Sequence, residues 1–556
     1  MNKRWVMATA DPAATDALAR ELHVSRAFAS VLVNRGFRDV DAAQKFLNPQ
    51  LRQLADPFAL PDMDRAVERV LAAIEKKQRV VIYGDYDVDG VTSSALVWRV
   101  LRAAGAHADN FLPRRSDEGY GLTRDGLARC LREHKPELLI AVDCGTSSRN
   151  EIAGLSRRAI DTIVLDHHEP PQQLPQCIAL VNPKRQPDGE PLASVGVSFK
   201  LVHALLKRDR RLADAIDLRE HLDLVAIGTV TDIVPLTGEN RIFVRAGLER
   251  LPHTQKVGLL ALMEVADVTD NVRPYHISFR IGPRLNAAGR LADAMAALEL
   301  LLTDDGARAS QLASLLDDHN AERQRIEESI TEEAQAMARE YETDRVLVLA
   351  NAGWHAGVIG IVASRITQQF YRPTVIIGKD GKGSCRSISG FSIVDALAKC
   401  ASVLERFGGH EMAAGLSIDA KKISELRRRL NEHAALVLRE DDLRPRIRID
   451  AAARLDELDD RFFGQLADLE PCGQDNPEPT FAALGVRLRG APRVVGKDHL
   501  KFVVTDGETS AEAIWWKMAA RQLPSGPIDV AFNAALHEYG GEQSVQLNVR
   551  DVRAAS

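Results

Sequence analysis

Three short apolar runs rich in β-branched residues each end on an acidic turn, and no other feature constrains the fold as strongly. Val80, Val81 and Ile82 lead into Gly84 to Gly90 (GDYDVDG). Leu138 to Ala141 lead into Val142 to Gly145 (VDCG), and Thr162 to Val164 into Leu165 to Glu169 (LDHHE). Ile178 to Val181 adds a further strand signal, and Val91 to Leu101 reads as a buried helix. Strands alternating with helices predict βαβ units and a mostly parallel sheet. In such sheets, ligands sit outside the carboxyl ends of the strands, where these acids fall.

A fourth segment, Thr229 to Pro235 (TVTDIVP), completes a set of seven residues: Asp85, Asp87, Asp89, Asp143, His167, His168 and Asp232. Converging carboxylates without a counter-charge repel one another, so the set points to hard or borderline divalent cations. Oxygen-rich sites suit Mg²⁺ or Mn²⁺, and an imidazole shifts the preference toward Mn²⁺. Two such ions about 3.5–4 Å apart can clamp a phosphate and activate water for in-line displacement. Each piece alone has a plainer reading. The aspartates of the first turn could be surface carboxylates, Asp143 a helix cap, and one histidine a hydrogen-bonded core residue. A calcium loop needs Glu six residues past its Gly, and that position holds Leu96.

At 556 residues the chain is too long for one core. A polar, helix-favouring stretch without Gly or Pro from Ala307 to Glu342 reads as a solvated helix bridging two domains. A second α/β unit follows from Val346. The last hundred residues alternate apolar and polar at Phe502–Val504, Asp529–Phe532 and Val545–Val549, which predicts a small β-barrel or sandwich. A net formal charge of −6 places any polyanion site in a local basic groove. The six cysteines show no zinc or redox spacing and read as reduced thiols. With no apolar stretch of signal-peptide or membrane-span length, the expected location is cytoplasmic, away from membranes.

GDYDVDG, VDCG and LDHHE resemble the signatures of the DHH phosphoesterase superfamily. PRRSDEGYGL from Pro113, SVGVSFKL from Ser194, GTVTDIVPL from Gly228 and FRIGPRLNAAGRL from Phe279 extend the resemblance. WHAGVIGIVASR from Trp354, GSCRSI from Gly383, GGHEMAAG from Gly408 and EPCGQDNPEP from Glu470 continue it in family order. Within the DHH/DHHA1 superfamily the chain is similar to the single-strand-specific 5′→3′ DNA exonucleases. The resemblance implies an α/β fold in five parts: a helical lead-in (1–50), a DHH catalytic domain with a mostly parallel sheet (51–306), and a long connecting helix (307–344). A smaller α/β DHHA1 substrate-binding domain (345–440) and an OB-like C-terminal β-barrel (441–556) complete it.

It further implies that Asp85, Asp87, Asp89, Asp143, His167 and Asp232 surround the metals, Mn²⁺ or Mg²⁺ and two in number. Asp87, Asp89, His167 and His168 would be catalytic, with His168 orienting phosphate or supporting the metal-holding residues and Asp166 set back at the strand end. Arg115, Arg284, Arg290, His355, Ser384, Arg386, Gly409 and His410 would bind substrate, Arg386 being suited to bidentate phosphate contact. Trp354 reads as cleft-lining beside His355. In the C-terminal domain Arg487, Arg489, Arg493, Lys497, Lys501 and Lys517 would follow the strand, with Phe502, Trp515 and Trp516 as stacking platforms. Adjacent Trp515 and Trp516 point to opposite faces on a strand, so one of them belongs to the core. Cys385 stands where the family usually has Gly, a strained choice if the backbone there needs a positive φ.

The implied activity is hydrolysis of single-stranded DNA to 5′-mononucleotides in repair and recombination. Implied partners are single-stranded DNA with a 5′ end, a single-strand-binding protein and a helicase. Other readings are an oligonucleotidase or nucleotide phosphatase, a pyrophosphatase, and a non-catalytic DNA-binding relative. The first two would not need the C-terminal domain, and the last would lack metal ligands.

Overall fold

The computed structural model describes residues 3–114, 118–291, 293–539 and 542–555. The apolar runs form β1 (Arg79–Gly84), β3 (Leu138–Val142), β4 (Asp161–Leu165) and β5 (Ala179–Val181), joined by β2 (His107–Phe111). All pair in parallel, in the order β2-β1-β3-β4-β5. From β1 the chain steps outward to β2, then crosses back to β3 on the other side of β1. The carboxyl ends of β1 and β3 therefore flank the crevice where the strand order reverses.

Both faces of this sheet are covered, which is why its central strands are uninterrupted apolar runs. Val80, Ile82, Ile140 and Leu165 face α1 (Val88–Ala103), α2 (Ser194–Arg208) and α3 (Leu222–Thr231). Val81, Tyr83, Leu139 and Val164 face the helices Arg124–His134 and Arg149–Ser156 on the opposite side. Helix α4 (Gly238–Arg250) follows α3.

The stretch expected as a solvated bridge is a 35-residue helix, α5 (Gly306–Glu340). It does bridge, but it is not merely solvated. Leu312, Ala313 and Leu316 belong to the core of the first domain, and Ile330, Ala334 and Ala338 to that of the second. Between them the interruption of the apolar stripe is itself a buried polar network. The Arg323 guanidinium donates to Glu327 (2.6 Å) and to Asn320 Oδ1 (2.7 Å), and Arg365 reaches Glu327 from the second domain (2.5 Å).

The second α/β unit holds β6 (Leu347–Ala350), α6 (Ile359–Phe370), β7 (Thr374–Ile377), β8 (Lys382–Arg386), β9 (Arg406–Gly409) and β10 (Ala413–Ser417). Its sheet runs β9-β10-β8-β7-β6, parallel only between β6 and β7. The last unit begins with α7 (Asp460–Asp468), followed by β11 (Phe481–Leu488), β12 (His499–Thr505), β13 (Ser510–Trp515), β14 (Ile528–Tyr539) and β15 (Glu542–Ala554). These strands pair around a ring, β11-β14-β15-β13-β12, closed by β11 against β12. The result is a barrel of the OB type.

The N-terminal helices do not stand apart from this barrel. Phe28 and Leu32 share one core with Phe462, Phe481 and Phe532, and the strand Arg4–Met7 pairs in parallel with Arg446–Ile449. No helix among the described residues is long and apolar enough to cross a membrane.

The placement of α5 predicts a sharp contrast between neighbours. Leu316 is fully buried and Leu315 is 41% exposed. Leu316→Ala is expected to destabilise the protein by about 2–5 kcal/mol, and Leu315→Ala by no more than about 0.5 kcal/mol. Calorimetric or denaturant unfolding of the two variants checks this.

Candidate metal centre and facing cleft

The acidic turn after β1 is shaped by the start of α1. Asp87 is the N-cap of that helix, accepting from the Gly90 amide at 3.1 Å. Asp89 lies in the first turn and points at the N-terminus of α2, where it accepts from the Ser194 amide (2.7 Å) and the Val195 amide (2.8 Å). Those donors have no partner within their own helix, so a carboxylate suits them. Position 90 admits only glycine, because an added Cβ would lie 2.4 Å from the Asp85 carbonyl oxygen.

Asp143 follows β3 with a left-handed backbone (φ 61°) and accepts from the Ser194 hydroxyl at 2.9 Å. His167 follows β4, and Asp232 caps the C-terminus of α3. His167 Nε2 stands 3.4 Å from Asp143 Oδ1 and 3.5 Å from Asp232 Oδ2. Ligand atoms within 4.8 Å of one another come from Asp85, Asp87 and Asp143, and again from Asp89, His167 and Asp232. A third such set joins Asp143, His167 and His168. All seven residues of the acidic and histidine set therefore meet at one place.

Asp166 turns away from this centre. It accepts from the amides of His167 (2.7 Å), His168 (3.1 Å) and Thr146 (2.9 Å), and from His168 Nδ1 at 2.7 Å. Burial alone would raise its pKa. The His168 hydrogen bond and charge win, and hold it well below the usual carboxylate range. His168 is raised in turn: burial opposes this, and the bond to Asp166 overcomes it. The Tyr120 hydroxyl completes the chain, 2.7 Å from His168 Nε2.

Four carboxylates of the centre, Asp85, Asp89, Asp143 and Asp232, behave in the opposite way. Burial, reinforced by Asp87, pushes Asp85 and Asp143 far above the ordinary value and Asp89 up to about 7. Burial and Asp89 push Asp232 up to about 9. Burial lowers His167 to about 4, which leaves it neutral, the form that ligates metals. Both oxygens of Asp85, Asp232 Oδ2 and His167 Nε2 are buried without a hydrogen-bond partner. Bare acceptors at this density fit divalent cations, which would supply both the missing charge and the missing contacts.

The second domain carries the other expected substrate groups. On β8, Ser384 and Arg386 alternate with Cys385. Cys385 is fully buried and pairs with Val375 and Ala414 in regular strand geometry. It is absent from the residues with positive φ, so the departure at this position strains nothing. The half-buried Arg386 guanidinium donates to the Cys385 carbonyl (2.8 Å) and to Ser384 Oγ (3.3 Å). Among the described residues no carboxylate lies within ion-pair distance of it. Gly409 ends β9 with a φ of 141°, and the His410 amide closes the hairpin onto the Ala413 carbonyl at 2.8 Å. Glu169, after β4, is held below its usual pKa first by Lys184, 2.9 Å away, and also by the charge of His410.

Other expected substrate residues are placed differently. Arg115 lies outside the described residues. Arg284 does not reach the cleft, because its guanidinium is committed to the carbonyls of Arg280 and Val265 and to Asp317 on α5 at 2.8 Å. Trp354 is not cleft-lining either. It is buried in the second core, with its indole N–H on Glu333 at 2.8 Å. His355 is exposed, its Nδ1 accepting from the Gly357 amide, and Arg290 donates to the Gly357 carbonyl at 3.1 Å. Tyr120 and Ser194 carry no signal of their own in the sequence, and only their membership of extended motifs marks them. In the barrel, Phe502 and Trp515 are core residues, whereas Trp516 is 50% exposed and packs edge-on against His499.

The family models for the DHH family N-terminal domain, the DHHA1 domain and the RecJ OB domain match residues 79–229, 343–435 and 449–551. The chain is 35% identical to the single-stranded-DNA-specific exonuclease RecJ of Bacillus subtilis, over 99% of this chain and 70% of that protein. It is equally identical to the protein of that name from Dickeya dadantii, over 98% of both. The crystal structure of RecJ with Mn²⁺ from Thermus thermophilus superposes with a TM-score of 0.88 at 32% identity, covering 100% of this chain and 80% of that one.

A carboxyl whose pKa is raised by folding takes up a proton on folding, so its contribution to stability falls as pH rises. Without metal, the protein is therefore expected to lose stability from about pH 4 up to the Asp232 value of about 9, and Mn²⁺ should flatten that slope. Asp85→Asn should raise the melting temperature of the metal-free protein while reducing the further rise on adding Mn²⁺. Thermal melts across pH, with and without Mn²⁺, measure both effects.

Proposed function

Because the chain belongs to the RecJ family of single-stranded-DNA-specific exonucleases, we propose that it is a metal-dependent hydrolase that removes 5′-mononucleotides from the 5′ end of single-stranded DNA. The observation that carries this reading is the pairing of two unlike walls. In the first domain Asp85, His167 and Asp232 hold bare, buried acceptors, and in the second Arg386 is a half-buried arginine with no carboxylate partner among the described residues. One wall calls for cations and the other for an anion, and a phosphodiester held by divalent ions satisfies both.

Asp85, Asp87, Asp89, Asp143, His167 and Asp232 would hold two ions, Mn²⁺ or Mg²⁺. When bound, such ions supply Lewis acidity and positive charge to the scissile phosphate. The remaining work falls to side chains of this chain. Asp89 and Asp143 are oriented by the start of α2, so the metal-facing oxygens need little reorganisation. Asp166 and Tyr120 occupy both ring nitrogens of His168, so the ring would support its neighbours at the centre rather than offer a phosphate an N–H of its own. Arg386 and Ser384, with Gly409 and His410 on the neighbouring hairpin, would receive the 5′-terminal phosphate, and that contact would give the reaction its polarity.

A cavity of about 920 Å³ runs from Thr231 and Ile233, beside Asp232, past Arg290 to Gln474 in the C-terminal unit. It offers an approach for the rest of the strand. Trp516, Arg487, Arg489 and Arg493 on the barrel would engage the strand further along by stacking and backbone contact. This activity fits repair and recombination in the cytoplasm, with a single-strand-binding protein and a helicase supplying the strand. A DHH oligonucleotidase is the second reading, and the closed barrel disfavours it.

His167→Ala is expected to abolish hydrolysis of 5′-phosphorylated single strands while leaving salt-dependent DNA binding intact, and chelation should do the same to the wild type. Arg386→Ala should raise KM for a 5′-phosphorylated strand by about tenfold or more, consistent with the roughly 1.5–3 kcal/mol of a charged hydrogen bond. End-labelled digestion, with and without a blocked 5′ end, provides the measurement. Equal release from both ends would overturn the polarity.

A further inference from the structure

The turn that carries Asp232 is supported from another domain. After Asp232, Ile233 adopts a left-handed backbone (φ 60°), an unfavourable conformation for a β-branched residue, and its side chain is 69% exposed. Strain of this kind persists only where surrounding contacts impose it. Here the contacts are specific. The Leu236 amide donates to the Gln474 carbonyl at 2.8 Å. Leu236 also packs directly on Gly473, where an added Cβ would lie 2.6 Å from Leu236 Cδ1. From α4, Asn240 Nδ2 holds the carbonyls of Pro191 (2.8 Å) and Pro235 (3.0 Å).

The loop bearing Gly473 and Gln474 is itself fixed by Arg241, five residues beyond Leu236. Arg241 is fully buried, and its guanidinium donates to five carbonyls, those of Phe46, Asp468, Leu469, Glu470 and Pro471, at 2.8–3.3 Å. Its charge sits at the C-terminal end of α7, where unpaired carbonyls and the helix dipole favour a cation. It also lies over the Phe46 ring, 4.1 Å from the centroid. Among the described residues no carboxylate pairs with it. A guanidinium buried on carbonyls alone serves to fix backbone, and the backbone it fixes touches the Asp232 turn.

We propose that Arg241 and the Glu470–Gln474 loop are positioning elements for Asp232, so that the C-terminal domain helps build the metal centre as well as holding the strand. This rests on the reading of Asp232 as a metal ligand. It differs from a role in strand capture because it acts on the metal affinity even when no DNA is present.

The test is calorimetric titration of the full-length, DNA-free protein with Mn²⁺, alongside kcat and KM on a 5′-phosphorylated dinucleotide too short to reach the barrel. Arg241→Lys keeps the charge but loses the planar fork, and Gly473→Ala pushes on Leu236. Each is expected to weaken Mn²⁺ binding by about tenfold or more, the scale seen when partners that orient a ligand are removed, with kcat lowered and KM little changed. Leu547→Ala, in the barrel core and fully buried, controls for loss of stability and should retain wild-type Mn²⁺ affinity. If Arg241→Lys does not fold, Gly473→Ala carries the test. Wild-type affinity in the folded positioning variants overturns the proposal, as does an equal loss in Leu547→Ala. Asp232→Ala separates the two levels: unchanged Mn²⁺ binding there overturns the ligand assignment itself.

Discussion

Mutual repulsion among Asp85, Asp89, Asp143 and Asp232 is the constraint around which the catalytic domain is organised. Burial deprives each carboxylate of water, and their proximity raises the cost of charging any one of them. Packing alone cannot hold such a group together. The reversal of strand order between β1 and β3 brings the acidic turns to one crevice. The start of α2 supplies two amides and a hydroxyl to Asp89 and Asp143, neutralising part of the repulsion without filling the centre. What remains unsatisfied is oriented inward, where cations belong. Stability is given up locally so that the site is ready before metal arrives.

The second wall depends on α5. One end of this helix lies in the first domain's core and the other in the second's, with Glu327 bonded to Arg323 and Arg365 between them. Opening the cleft widely would therefore cost buried apolar area at one end or the other. The two domains are thus joined by one continuous helix packed into the core of each.

Much of the catalytic domain is legible in the sequence because its determinants are local. β1, β3 and β4 are buried on both faces and so announce themselves as apolar runs, whereas the edge strand β2 (HADNF) is polar at three of its five positions and carries no such signal. The seven residues of the acidic and histidine set are readable because each follows a recognisable strand or helix end. Arg284 and Trp354 depart from expectation because motif membership does not distinguish an exposed contact from a buried clamp, and only their partners Asp317 and Glu333 decide that. Cys385 looks strained by analogy with glycine, while its strand pairing makes it an ordinary core residue. The work of Arg241 is invisible in the sequence, since Phe46 and Leu469 lie far from it in the chain.

The shared core of the two chain ends carries a consequence for biosynthesis. Phe28 and Leu32 are made long before the residues that cover them, Phe462, Phe481 and Phe532. The catalytic domain can gather its own core during translation, while the helices carrying Phe28 and Leu32 must wait, apolar faces uncovered, for the barrel residues to be made. Their packing together then follows the formation of the domain that lies between them in sequence. A chain cut short before the barrel would leave its beginning, as well as its end, unfolded.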